Sequence, residues 1–84
     1  MKFAFGVTTL ELSKEDILSK PNFPILRMYD TDDELIGTFN IKTGEVIENI
    51  DLADYDIRFV EKQLKLNRDN YLETWNDYVS MLHK

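Results

Sequence analysis

Carboxylates are the most plentiful chemically competent side chains in this chain. Asp30, Asp32, Asp33 and Glu34 fall within five positions, and Glu45 and Glu48 follow Gly44 closely. Such a cluster could hold a hard cation, and a carboxylate pair could divide acid and base roles. A calcium loop requires glycine at its sixth position and glutamate at its twelfth. Counted from Asp30, those positions hold Leu35 and Ile41. The cluster therefore reads as a solvated turn. No neighbouring sequence desolvates Glu45 or Glu48, so both read as strand-surface carboxylates. His83 is the single histidine, and no cysteine accompanies it, so a zinc site would rest on carboxylates alone. Ser13 and Ser80 have no base that spacing can identify. Gly6, Gly37 and Gly44 are too scattered for a phosphate loop. These residues predict no catalytic set, no metal and no cofactor, and hence no enzyme.

Positioning any of these groups falls to a short series of elements. Residues 2–12 read as one strand, with Phe3, Phe5 and Val7 alternating against polar neighbours and Gly6 marking a bulge or a close approach. Ser13 with Asp16 resembles a capping box, so residues 13–20 read as one or two helical turns, or a structured loop, with Ile17 and Leu18 inward. Pro21 ends that helix, and residues 21–24 run extended to a strand at 25–29. After the polar turn at 30–34, residues 35–42 form a strand with Leu35, Gly37, Phe39 and Ile41 on one side. Residues 42–44 fit a three-residue hairpin loop with Gly44 left-handed, and 45–50 return antiparallel. The last third is helical, because Tyr55, Phe59, Val60, Leu64, Tyr71, Trp75, Tyr78, Val79 and Leu82 recur at three- and four-residue steps. Asp54–Arg58 and Glu61–Lys65 are acid-before-base pairs four apart. Asn67 to Asn70 is the poorest helical stretch, where two helices meet or one bends.

The 84 residues imply one domain, spanning 1–84. A domain this small buries only about 60–65% of its unfolded surface. Without disulfides, its core must rest on apolar packing, extended by a partner or by self-association. The net charge of −6 disfavours a phosphate backbone as ligand. No apolar run approaches the roughly 20 residues of a membrane span. The expectation is a cytoplasmic protein that binds neither nucleic acid nor membrane. The aromatic stripe either seals the helix against the sheet or, where rings stay exposed, offers anchors to a partner. Tyr55, Tyr71, Trp75 and Tyr78 are the candidate partner surface.

The stretch Phe39-Asn40-Ile41-Lys42-Thr43-Gly44-Glu45-Val46-Ile47-Glu48, followed by residues 59–75 ending in Thr74-Trp75, resembles a family of small bacterial proteins. They are catalogued as domain of unknown function 4160. The likeness covers the chain from about Pro21 onward. That family carries a proline- and histidine-rich segment before its central strand; here residues 21–28 hold no histidine. No histidine chemistry is carried over. The resemblance implies a small α+β domain, and relatives encoded beside another small protein imply a toxin–antitoxin-like or regulatory pair.

Together these readings predict an α+β fold: an antiparallel sheet of three to four strands, one face covered by a C-terminal helix or helix pair. The expected function is protein–protein interaction, with an unidentified protein partner or with itself. Two alternatives come from other classes. One is a small carboxylate- and metal-dependent enzyme using Asp30, Asp32, Glu45 and Glu48. The other is an acidic mimic of nucleic acid that blocks a nucleic-acid-binding protein.

Overall fold

In the computed structural model, which describes residues 1–83, five strands form one antiparallel meander. They are β1 (Lys2–Phe5), β2 (Thr8–Glu11), β3 (Ile25–Tyr29), β4 (Leu35–Asn40) and β5 (Val46–Asn49), hydrogen-bonded in chain order. Helix α1 (Lys14–Ser19) lies between β2 and β3, and α2 (Asp54–Leu82) follows β5 and packs on the sheet. The class is α+β, with five strands where three to four were expected.

The extra strand arises at Gly6. Residues 2–12 are not one strand but a hairpin, with Phe5 paired to Thr8 across a two-residue turn. Gly6 has φ +71°, whereas Val7 keeps a negative φ. Positive φ at the first central residue alone is the type II′ turn, whose twist matches that of the flanking strands. Gly6 is therefore neither a bulge nor a close approach; a Cβ there would meet nothing within 4 Å.

Directly paired residues share a sheet face. Phe3, Leu10, Met28, Gly37 and Asn49 form one row across all five strands. This face holds the core, in which Leu10, Leu26, Met28 and Phe39 are buried with Val60, Leu64, Tyr71 and Trp75 of α2. The adjacent row, Lys2, Glu11, Arg27, Thr38 and Glu48, is polar, as an uncovered antiparallel face should be. Two bulges break the ladder. Tyr29 pairs with Leu35 and Met28 with Gly37, so Ile36 is an extra residue, and it is buried in the core. Thr38 pairs with Glu48 and Phe39 with Val46, so Ile47 is the extra residue on β5, and it is exposed.

Several local expectations change for identifiable reasons. Ser13 makes no side-chain cap. The acid of the supposed capping box, Asp16, instead receives Arg27 of β3 in a two-point pair, Nε to Oδ2 at 2.7 Å and Nη2 to Oδ1 at 2.9 Å. A two-point guanidinium–carboxylate contact outweighs one cap bond. Ile17 points inward, but Leu18 is exposed. The β4–β5 loop holds four residues, 41–44, because Asn40 N–H donates to Glu45 O at 2.8 Å. Asn40 Oδ1 accepts from Lys42 and Thr43 within the loop, and Gly44 takes φ +80°.

At the start of α2, Ala53 has no side-chain acceptor, so only half a capping box exists: Ala53 N–H donates to Asp56 Oδ2 at 2.9 Å. Asn67 settles the fate of the weak helical stretch. Its φ of −130° and ψ of 16° are non-helical, so α2 is two helical segments joined at a kink. Asn67 Nδ2 reaches back to Gln63 Oε1 at 3.4 Å. Neither Asp54–Arg58 nor Glu61–Lys65 closes within 4 Å; the ion pair among the described residues is Asp16–Arg27.

Candidate functional site

The four ring-bearing candidates separate by position. Trp75 is fully buried, and its Nε1–H donates to Pro21 O at 2.9 Å. An indole so placed staples the 21–24 connector to α2 and is unavailable to a partner. Tyr71 is buried and meets the Phe3 ring edge-on at 5.1 Å. Burial raises its phenol pKa. Tyr78 is half-buried against the core. Tyr55 alone stands out, 67% exposed. It sits off the inward stripe of α2, which corrects its assignment to the core periodicity. The fully buried residue of that first stretch is Val60, beside partly buried Phe59, which meets Phe5 edge-on at 5.3 Å.

Tyr55 does not stand alone. It lines a hollow of about 240 Å³ at the α2 N-terminal end of the sheet, with Val7, Thr8, Ile36 and three carboxylates, Asp30, Asp51 and Asp56. Val7 is 72% exposed, because the type II′ turn lifts it off the face that Phe3 and Phe5 share. Alternation alone groups Val7 with those two rings; the Gly-X pair between alternating apolar residues is the signal that separates it.

Backbone bonds fix the hollow's acidic wall. Ile36 O accepts from both Ile50 N–H (3.0 Å) and Asp51 N–H (2.9 Å). Asp30 Oδ1 accepts from Asp32 and Glu34 N–H groups, so the acidic turn is self-braced. Asp54 and Asp56 lie in the first turn of α2, where the helix dipole favours negative charge. Residues 30–34 and 51–56 carry seven carboxylates and no Lys or Arg. The charged groups that line the hollow are thus all carboxylates.

The other nominated groups do not converge. Asp30 and Asp32 belong to the β3–β4 turn, whereas Glu45 and Glu48 belong to the β4–β5 hairpin. Among the described residues no three His, Asp or Glu side chains are placed to hold a metal ion. His83 Nε2–H donates to Ile17 O at 3.1 Å, joining the end of α2 to α1. No helix is long and apolar enough to cross a membrane among the described residues.

A second hollow, also of about 240 Å³, opens between β1 and the kink of α2. Phe3, Phe5 and Tyr71 form its apolar wall, and Gln63, Asn67, Asn70 and Thr74 form its polar one. The sequence carries no signal for this feature, because carboxamides on a helix have no chemical signature until a strand edge lies beside them. No protein-family model matches the chain, and neither a curated protein nor a solved structure is similar to it.

Proposed function

We propose that this chain is a protein-interaction module, the small acidic member of a two-protein pair, and that the hollow around Tyr55 and Val7 receives a basic partner surface. The observation that carries the reading is the pairing of two exposed apolar side chains with a wall whose only charged groups are Asp30, Asp51 and Asp56. Tyrosine supplies contact area at low entropic cost and recurs as an interface anchor. One-signed charge around it draws a Lys- or Arg-rich surface and repels an acidic one. The resemblance read in residues 39–48 and 59–75, which no family model matches, adds only the expectation of a toxin–antitoxin-like or regulatory pair.

The test is affinity capture from a native extract, read by mass spectrometry, with wild type beside Tyr55→Ala and Asp51→Asn. A partner of high isoelectric point should be lost with Tyr55→Ala and weakened by Asp51→Asn. It should also wash off in about 1 M salt, where the Debye length falls to about 3 Å. A partner held equally by all three proteins, or no partner beside a strictly monomeric chain, removes the proposal.

A further inference from the structure

We infer that the free edge of β1 is a pairing surface for a second copy of this chain, giving a two-fold dimer with a continuous ten-stranded sheet. The inference uses a different surface from the acidic hollow and stands independently of it.

The sheet has two free edges, and they are unlike. β5 carries the Ile47 bulge and Glu48, and both features discourage edge pairing. β1 is regular, with four consecutive pairs to β2 and no shift. Its unpaired backbone groups can be assigned. Leu12 N–H donates to Met1 O and the Met1 nitrogen donates to Leu12 O, both at 2.9 Å. Hydrogen-bonded pairs alternate with non-bonded pairs in an antiparallel ladder. Phe3 and Phe5 therefore also bond toward β2, and Lys2 and Ala4 turn their N–H and C=O groups outward.

Set antiparallel to itself about an axis through Phe3, β1 places Lys2 opposite Ala4 of the second copy, and Ala4 opposite its Lys2. All eight outward backbone groups are then satisfied in four hydrogen bonds. Above the edge, Gln63, Asn67, Asn70 and Thr74 recur at steps of four, three and four along α2. Carboxamides present donors and acceptors together, so this stripe complements its own copy. Leu66, one helical turn from Gln63 and Asn70, is 67% exposed beside the stripe.

Charge selects this occupant. Two chains of net charge −6 repel one another wherever carboxylates meet. The hollow beside β1 has no charged lining residue. Val7, which marks the acidic end, sits in the turn just beyond Phe5, about three strand steps from the axis. At about 3.3 Å per residue, the two acidic ends stand roughly 20 Å apart, more than two Debye lengths of about 8 Å at physiological salt.

Sedimentation equilibrium on the full chain tests the inference. Ala4→Pro removes an outward N–H and costs β2 no bond. Asn70→Glu places like charges across the axis from an exposed helical position, so the fold is retained by circular dichroism. The wild type should sediment as a dimer, and each variant should raise the dissociation constant by about tenfold or more. Tyr55→Ala should remain dimeric, which separates this surface from the partner site. A wild type that stays monomeric at high micromolar concentration overturns the inference. So does a dimer that survives both β1-edge variants. A monomer that captures an extended segment of another protein, and loses it with Ala4→Pro, overturns the second copy as occupant.

Discussion

Gly37 offers the sharpest test of how the sheet positions the acidic hollow. It sits mid-strand in β4, and Leu52 packs where its side chain would be: a Cβ there would lie 2.6 Å from Leu52 Cγ and 2.9 Å from Cδ2. Two effects oppose each other in Gly37→Ala. Removing a mid-strand glycine favours the folded state by about 0.5–1 kcal/mol. Overpacking a filled site costs about 1–3 kcal/mol. The clash should win, for a net loss of about 1–2 kcal/mol. In a domain this size that lowers Tm by about 4–8 °C per kcal/mol. The cycle with Leu52→Ala isolates the cause. Leu52 is half-buried, so its truncation alone should cost about 1–2 kcal/mol, below the fully buried range. In that background the clash is gone, and Gly37→Ala should become stabilising by about 0.5–1 kcal/mol. The coupling is then about 2 kcal/mol, read from urea unfolding followed by circular dichroism. A Gly37→Ala variant more stable than wild type, or a cost equal in both backgrounds, refutes the reasoning. Because Leu52 adjoins Asp51 in the segment leading to Tyr55, capture through the acidic hollow should weaken in parallel.

Two further outcomes follow from the packing. Asp16→Asn leaves the Arg27 guanidinium without its counter-charge between α1 and β3. Breaking a buried pair costs about 3–5 kcal/mol, but Arg27 keeps about a quarter of its side chain in solvent, so about 2 kcal/mol is expected in urea unfolding. Above pH 10, stability should fall. Burial raises the phenol pKa of Tyr71, and burial followed by the hydrogen bond to Glu11 raises that of Tyr29. A group whose folded pKa exceeds its unfolded value of about 10 stabilises fully below that value and loses its contribution as pH climbs through the folded one. Urea unfolding at successive pH values above 10 should therefore show a shallower decline for Tyr71→Phe than for wild type, and equal slopes would contradict the burial argument.

Much of the fold was legible because the pattern and the punctuation agreed. Residues 25–29, 35–42 and 45–50 alternate or run apolar between turn residues, and β3, β4 and β5 lie within those bounds. Gly44 adopts the left-handed φ its loop required. The apolar stripe of residues 59–82 gave α2, with Val60, Leu64, Tyr71 and Trp75 inward. What failed was local chemistry with a distant competitor. Alternation through Phe3, Phe5 and Val7 looks the same in one strand as in two strands joined at Gly6, because a two-residue turn interrupts the period by so little. Asp16 was spaced to cap, but Arg27 lies eleven residues away, and only the β2–β3 connection brings it near.

The candidate surface was legible by type and less so by member. An exposed aromatic on α2 was the criterion, and Tyr55 meets it. Tyr71 and Trp75 share its residue class and its helical spacing, yet they are core. The residue class alone does not separate them, but position does: Val60, Leu64, Tyr71 and Trp75 lie four, seven and four apart in one stripe across Asn67, and Tyr55 falls five residues before Val60, off that stripe. Tyr55 is exposed, while Trp75 is buried with its indole N–H on Pro21 O. The companions of Tyr55 were hidden for a related reason. Val7, Asp30 and Asp51 come from three connections distant in sequence, and a meander gathers alternate turns at one end of its sheet. The exposed hollow is therefore a product of topology, and a net charge of −6 could not say which carboxylates would meet.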